Sequence, residues 1–178
     1  EEMLASIQNN ITLTVCDLEN IRFLQQVCAE NSLNTNVHLK VDTGMGRLGV
    51  KPEDASGMAK FIENECPNLH LEGVFTHLPV SDVPYSAYTI SEIILFRMLV
   101  NQIESTIGRH IELAHCANSG AVLAYPKGWF DLVRPGIMVY GFYPGVDSPH
   151  TIDLKPGLSF LTRVSFLKKV TRGTSIGY

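Results

Sequence analysis

The first 143 residues alternate between two hydrophobic patterns, one with the period of a strand and one with the period of a helix. Short runs rich in β-branched and other apolar residues predict buried strands over 11–15, 37–41, 71–76 and 111–114, with a fifth beginning at Leu132-Val133. Between them, apolar residues recur three and four positions apart. This spacing predicts amphipathic helices over 17–30, 53–64, 93–107 and 118–124.

The alternation of strands with helices predicts a parallel α/β sheet. Strand spacings of about 20 to 40 residues fit either a doubly wound sheet or part of a (β/α)8 barrel. Five strands cannot close an eight-stranded barrel. If the fold is a barrel, we expect about three strands before residue 1, and the chain would be an internal piece of a longer protein.

The pattern changes after residue 143. Gly, Pro, Asp and Ser crowd residues 144–157, and residues 158–170 (LSFLTRVSFLKKV) then alternate apolar with polar side chains. A period of two is typical of an antiparallel strand with one buried face. We therefore expect residues 1–143 to form the α/β unit, and 144–178 to form a linker and the first strands of a β-rich domain.

Composition narrows the class of protein. The 178 residues are 45% hydrophobic and 18% charged, with a formal net charge of −4, which is typical of a globular domain and unlike a nucleic-acid-binding surface. The chain has no apolar run long enough for a membrane span and no signal-peptide pattern at its start. The four cysteines lack metal-ligand spacing. We expect a cytoplasmic protein without nucleic-acid, membrane or metal partners.

Four polar clusters fall where predicted strands end: residues 40–47, Thr76-His77, 115–119 and 134–137. Because the carboxyl ends of parallel strands share one edge, these clusters should converge in space. Taken singly, each has a plain structural interpretation. Residues 42–47 fit a turn with a capping Asp and a solvated Arg. His77 fits a hydrogen-bonded histidine at the edge of the core. Lys40 fits an interior lysine that is paired with Asp42.

Two of the clusters suit an anion. Ser119 stands at the start of a predicted helix, where free amides and a hydroxyl favour phosphate, although Asn118 or Ser119 can equally be a helix cap. Arg134 is followed by Pro135 and then by Gly136 and Ile137, whose amides could complete a phosphate-binding cup. The alternative is an ordinary Pro-Gly turn beside a surface arginine.

Taken together and in order, KVDTGMGRLGV, GVFTH, HCANSGAV and RPGIMVYG resemble the alanine racemase family. These are pyridoxal 5'-phosphate enzymes with a (β/α)8 barrel followed by a β domain. The resemblance implies a partial (β/α)8 TIM-type barrel of about five C-terminal βα units, followed by the start of that β-rich domain. It covers all five predicted strands and reaches into the alternating tail.

The resemblance also implies roles for particular residues. Ser119 with the amides of Gly136 and Ile137 would hold the cofactor phosphate. Arg134 would face the pyridine nitrogen, and His77 would support the ring and that arginine. Three further residues match family positions: Arg47 would reach the phenolic oxygen and the substrate carboxylate, Lys40 matches an often carbamylated lysine that orients Arg47, and Tyr178 matches the catalytic tyrosine.

The implied activity is the interconversion of L- and D-alanine, which supplies D-alanine for cell-wall synthesis. Two bases on opposite faces of the substrate, a Schiff-base lysine and a tyrosine, would exchange the α-proton. In the family the tyrosine works in the partner subunit's site, which implies a head-to-tail homodimer with shared active sites. Related decarboxylases tend to place a carboxylate at the pyridine nitrogen, so Arg134 favours a racemase.

The chain departs from the family pattern in places. No residue matches the Schiff-base lysine, so we expect the chain alone to be inactive. Leu78-Pro79 replaces the usual Phe-Ala, which bears on the shape of that loop. Gly120 replaces a more usual alanine, and we expect this change to be without consequence. Two other functions remain open: a racemase for serine or another small amino acid, and a non-catalytic module that binds a phosphate ligand or pyridoxal phosphate.

Overall fold

The computed structural model describes residues 2–177, and its centre is a four-stranded parallel sheet. Its strands are β1 (Leu13–Val15), β2 (Thr35–Lys40), β3 (Leu69–Phe75) and β4 (Leu113–His115), which lie side by side in the order of the sequence. A doubly wound sheet reverses its strand order at a switch point, whereas a (β/α)8 barrel adds each strand beside the previous one. The sequential order therefore selects part of a (β/α)8 barrel.

Helices connect and flank the strands. They are α1 (Glu2–Gln8), α2 (Leu18–Glu30), α3 (Ala55–Glu65), α4 (Ala87–Ile107) and α5 (Ser119–Ala124), with short 3-10 turns at Pro52–Asp54, Pro126–Gly128 and Ile137–Tyr140. The predicted caps Asp17 and Asn118 are confirmed, because each side chain accepts a hydrogen bond from an amide three residues ahead. Within residues 2–177, no helix has both the length and the apolar character needed to cross a bilayer.

The two faces of β2 carry different chemistry. Val37 and Leu39 are fully buried and belong to the apolar core that the sheet shares with the helices. Asn36, His38 and Lys40 alternate with them and therefore lie on the opposite face. In a (β/α)8 barrel this second face lines the interior. The polar side chains of Asn36, His38 and Lys40 therefore lie in the space that leads to the carboxyl edge of the sheet.

An irregularity in the pairing of β2 with β3 adds one residue to the interior face. Val37 pairs with Leu71, but His38 pairs with Gly73, so the register shifts and Glu72 is the extra residue. Simple alternation would have set Glu72 and Val74 on one face. The shift instead leaves Val74 in the core and brings the Glu72 carboxylate to 3.0 Å from His38 Nε2.

The prediction of a fifth strand at Leu132-Val133 is wrong, because this segment is not a regular strand. The segment does run beside β4, since the Asp131 and Arg134 amides donate to Ala114 O and Ala117 O at 3.1 and 2.8 Å. However, the Ala114 amide donates to the side-chain Oδ2 of Asp131, at 2.9 Å. A backbone ladder needs that amide to pair with a carbonyl, so the segment stays extended without becoming a strand.

The strand predicted over 158–170 is also absent. In the described part of the chain after residue 144 the structure has no strand, and Phe160 and Leu167 are 93% and 86% exposed. A segment that alternates apolar and polar residues becomes a strand only when a neighbouring strand accepts its hydrogen bonds. The division into an α/β unit over 1–143 and a β-rich unit over 144–178 stays a prediction.

Candidate functional site

A cavity of ≈ 360 Å³ lies at the carboxyl edge of the sheet. Its lining includes five residues that the sequence had singled out on three separate segments: His77, Ser119, Arg134, Gly136 and Ile137. The parallel sheet explains their meeting, because β3, β4 and the segment after it all end at this edge. The cavity therefore combines a half-buried cation with small polar donors.

Arg134 is held by neutral acceptors. Its Nη2 donates to Thr76 O at 2.7 Å, and its Nη1 donates to the carbonyl oxygen and to Nδ1 of His115. Its guanidinium carbon lies 5.1 Å from the centroid of the Phe75 ring. Among residues 2–177, no carboxylate comes within ion-pairing distance of Arg134. Burial lowers its pKa, yet a guanidinium keeps its protons at ordinary pH. The site thus holds a rigid donor whose charge is not neutralised.

His77 stands beside this arginine as a neutral imidazole. Burial lowers its pKa, and the positive charges of Arg134, Arg47 and Lys40 lower it further. Its Nε2 lies 3.5 Å from Nδ2 of Asn118, which is a donor, so Nε2 is placed as an acceptor. His77 therefore adds a ring to the cavity wall without adding charge.

Ser119 and the residues after Pro135 form a small cup of donors. A Cβ added to Gly136 would lie 4.0 Å from Ser119 Oγ, so the two residues are neighbours in the cavity lining. Within residues 2–177 the amides of Gly136 and Ile137 donate no hydrogen bond. Two free amides and a hydroxyl on one wall suit the oxygens of a phosphate group.

The glycine-containing loop after β2 is folded around Asp42. Its Oδ1 accepts the amides of Gly44 and Gly46, each at 3.1 Å. Burial alone would raise the pKa of Asp42, but these amide donors outweigh it and the pKa falls. Asp42 therefore closes its own loop and caps no helix. Arg47 follows on the same loop with an exposed side chain, outside the lining of the cavity.

Lys40 is 5% exposed and points into the barrel interior. Its Nζ donates to Val41 O at 2.8 Å and lies 5.6 Å from the centroid of the Phe75 ring. Among the described residues it forms no ion pair with Asp42, contrary to the plain interpretation of its position. Burial lowers its pKa, which favours the neutral, nucleophilic amine. Its carbamylation stays a prediction, and so do the roles of the other site residues.

The sequence patterns gave no sign of a role for three polar groups that the structure places at or near the site: His38, Glu72 and Glu92. His38 and Glu72 lie on strands and form part of a hydrogen-bonded chain that ends at Arg134. Glu92 is on α4 and is 2% exposed. A signal of burial existed for Glu92, since it falls on the apolar stripe of its helix, three and four residues from Thr89 and Phe96.

Glu92 is a buried carboxyl. Neither of its oxygens has a hydrogen-bond partner among the described residues. A Cβ added to Gly44 would lie 2.1 Å from Glu92 Oε1, so the side chain presses against the loop that carries Arg47. Burial raises the pKa of Glu92, and the negative charge of Asp42 adds to that effect. The folded protein therefore binds a proton here more tightly than the unfolded chain does.

Replacing Glu92 with glutamine should stabilise the protein at neutral pH by about 1 kcal/mol. Because folding raises the pKa of Glu92, its carboxyl does not lower the free energy of unfolding below the pKa of the unfolded chain. It lowers that free energy as pH rises through the pKa of the folded state. Urea unfolding between pH 4 and 8 should show this loss in the wild type and a flatter profile in E92Q. Glu65→Gln, at an exposed position of α3, is the matched control and should leave the pH dependence of stability as it is in the wild type. Equal stability of E92Q and wild type at every pH would contradict the assignment.

The backbone of the 78–82 loop touches α5 at Gly120. A Cβ there would lie 2.4 Å from Ser81 O and 2.7 Å from the amide nitrogen of Asp82. The sequence had indicated that glycine stands at this position without consequence, and that expectation is wrong. The loop that begins at Leu78-Pro79 packs so closely that no side chain fits. The adjacent Asn118 ties the same loop to α5, since it donates to Leu78 O at 3.0 Å.

Tyr178, the predicted catalytic tyrosine, lies outside the described residues. Of the other predicted site residues, the structure brings five to one cavity and leaves Lys40 below it in the barrel interior and Arg47 on the exposed loop. Three segments position the five: the end of β3 carries His77, the start of α5 carries Ser119, and the segment over 131–137 that runs beside β4 carries the other three. Their arrangement offers a phosphate-sized cup, a fixed guanidinium and a neutral imidazole.

A sequential parallel sheet with a cup of donors and a half-buried arginine at its carboxyl edge defines a (β/α)8-barrel protein whose cavity is suited to an anionic ligand. Comparison with known proteins identifies the family within this class. Residues 1–144 match the model of the alanine racemase N-terminal domain, and the chain belongs to that family.

Several relatives agree with this assignment. Alanine racemase of Chlorobaculum tepidum is 41% identical over 97% of this chain and 44% of its own length. The crystal structure of alanine racemase from Bacillus anthracis with bound L-Ala-P superposes with a TM-score of 0.81 at 31% identity, over 98% of this chain and 45% of that one. A Clostridium difficile 630 alanine racemase in complex with cycloserine gives 0.80 at 30% identity, covering 86% and 42%. The chain thus spans less than half the length of these relatives.

Proposed function

We propose that this chain is part of a pyridoxal-phosphate-dependent alanine racemase that interconverts L- and D-alanine. The observation that carries the proposal is the meeting of Arg134 with the donor cup of Ser119, Gly136 and Ile137 in one cavity. Membership of the alanine racemase family supports it. The proposal extends beyond this chain, since the relatives are about twice as long.

The residues present fit the cofactor. The free amides of Gly136 and Ile137 and the facing Ser119 hydroxyl are donors suited to a phosphate, and a side chain at position 136 would project toward Ser119 Oγ. These three groups would hold the phosphate. His77 would support the ring from the cavity wall. When bound, pyridoxal phosphate supplies an electron-withdrawing ring that acidifies the α-proton of an amino acid.

Arg134 sets the character of the site in this proposal. A carboxylic acid at this position could give a proton to the ring nitrogen, whereas a guanidinium donates a hydrogen bond and keeps its proton. Its contacts with Thr76 O and His115 fix its direction, so the donor cannot turn away. By keeping its proton, Arg134 would leave the ring nitrogen hydrogen-bonded but unprotonated, and the ring would be a weaker electron sink. That property suits return of the proton to the same carbon, which is racemisation.

The remaining roles rest on residues that lie further from the cavity. Arg47 would reach the substrate carboxylate, and its exposed position on a loop with glycines leaves it free to turn inward. Lys40, if carbamylated, would become an anion able to orient Arg47. Tyr178 would move the proton on one face of the substrate, in the site of a partner subunit. A cytoplasmic homodimer with shared sites is therefore part of the proposal.

The test uses the protein as its gene encodes it. Its absorbance spectrum should contain a band at roughly 420 nm that borohydride reduction removes, as expected for a covalently held pyridoxal phosphate. Incubation with L-alanine should then produce D-alanine, with L-serine as the comparison substrate. A faster reaction of serine would assign a serine racemase. Absence of the band after cofactor is added would overturn the proposal and favour a binding module.

A further inference from the structure

Four side chains form a continuous hydrogen-bonded chain through the barrel interior. Arg134 Nη1 contacts His115 Nδ1, and His115 Nε2 lies 2.8 Å from His38 Nδ1. His38 Nε2 then lies 3.0 Å from Glu72 Oε2. The chain starts at the cavity and runs down the interior face of β4, β2 and β3. It links a residue of the proposed site to a carboxylate that has no contact with the cavity.

The end groups allow one order of protons along this chain. Arg134 can donate and cannot accept, so His115 Nδ1 must be bare. Burial lowers the pKa of His115 to about 3, and the positive charge of Arg134 adds to the effect, so its ring is neutral and carries its proton on Nε2. That proton points at His38 Nδ1, which must then accept. His38 donates from Nε2 to Glu72, which as a carboxylate accepts only.

Glu72 is itself fixed in place. Asn36 Nδ2 donates to its Oε1 at 2.6 Å, and Thr12 Oγ1 donates to its Oε2 at 3.2 Å. The register shift between β2 and β3 makes Glu72 the extra residue and pairs Gly73 with His38. A Cβ on Gly73 would lie 2.7 Å from His38 Nε2, so glycine leaves the space that the imidazole fills. Backbone and side chains are thus both arranged around the His38–Glu72 contact.

We propose that Glu72 is a positioning residue for Arg134, acting through His38 and His115. The inference rests on the proposed function, because it assigns Arg134 to the cofactor ring. Glu72 ends the chain with a group that can only accept, which agrees with the order that Arg134 imposes from the other end. Hydrogen bonds that all point the same way polarise one another, so His115 Nδ1 becomes a better acceptor and holds the guanidinium more firmly.

The test compares wild type with Glu72→Ala in the protein as its gene encodes it. In cofactor-free protein labelled with 15N-histidine, nuclear magnetic resonance should place the ring protons of His38 and His115 on Nε2 in the wild type. In E72A, His38 should populate both tautomers. In the cofactor-bound enzyme, kcat should fall about tenfold, with the KM for alanine changed less than twofold. Glu72→Gln keeps an acceptor without the charge, so it should retain the tautomers and lose less activity.

A second pair of variants separates this role from general destabilisation. Gly73→Ala should displace the His38 ring and reproduce the E72A spectra while every chain residue remains. The control is Glu112→Ala, which removes the carboxylate 2.7 Å from His70 Nε2 in an exposed pair outside the chain. It should change the His70 signals and leave kcat unaltered.

The possible results separate this inference from the proposed function. A proton on His115 Nδ1 in the wild type, or unchanged His38 signals in both E72A and E72Q, would overturn the role of Glu72. If E72A does not fold, E72Q and the wild-type spectra still decide the order of protons. A wild-type enzyme without racemase activity would instead overturn the proposed function. The tautomer measurement would be unaffected by that result, because it is made on the cofactor-free protein.

Discussion

Arg134→Gln should lower the kcat for alanine racemisation by about 10²–10³-fold, the effect expected when a preorganised charged donor is removed from an active site. Glutamine is too short to keep the contacts with Thr76 O and His115 while facing the cavity. It also lacks the charge that lies unneutralised in this interior. Cofactor affinity should fall less than kcat, because the cup of Ser119, Gly136 and Ile137 is intact. Initial rates and a cofactor titration on the same preparation measure both.

Two further variants make this result specific. Arg134→Lys keeps the charge but loses the planar fork, and should recover only part of the lost kcat. Arg97→Gln removes an exposed arginine of α4, which donates to Lys127 O on the outside of the barrel, and should leave kcat unchanged. A kcat for R134Q within tenfold of the wild type would show that Arg134 is not the group that faces the ring.

Much of this arrangement follows from local sequence. The strand and helix periods over residues 11–124, the caps at Asp17 and Asn118, and the position of polar clusters at strand ends are short-range signals, and the structure has them. Convergence of His77, Ser119 and Arg134 also follows, because parallel strands bring their carboxyl ends together whatever the exact fold. The choice between a barrel and a doubly wound sheet needed the strand order, which no local pattern encodes.

What the sequence could not predict depends on pairing between distant segments. The register shift that turns Glu72 toward His38 is a property of two paired strands, and the sequence of β3 alone does not determine it. The segment at Leu132-Val133 has a strand-like composition, but Asp131 takes the amide that a ladder would use. The apolar stripe of α4 indicated a buried face, yet the loop that meets Glu92 there comes from residues 42–47.

Gly120 shows most directly how a single position depends on a distant loop, and its substitution should have the second large effect. In a helix, Gly→Ala normally stabilises by about 0.5–1 kcal/mol. Here the new Cβ would meet the backbone of Ser81 and Asp82, which cannot turn aside as a flexible side chain can. We expect G120A to destabilise the protein by about 1–3 kcal/mol, as overpacked sites do. Gly57→Ala is the matched control, since α3 has open space at that position and the usual stabilisation should appear.

The same clash should reach the cofactor cup. Pushing the Ser81 backbone away strains Asn118, whose Oδ1 accepts from Ser81 Oγ and from the Ala121 amide. The start of α5 would shift, and cofactor affinity in G120A should fall at least tenfold, an order-of-magnitude expectation for a misplaced binding group. If the loop shape is the cause, exchanging Leu78-Pro79 for Phe-Ala in the G120A background should recover part of both losses. A double-mutant cycle measures that recovery as a coupling energy between the two sites. Strictly additive effects would show that the loop and Gly120 are independent, and that the close packing between them is not what requires glycine.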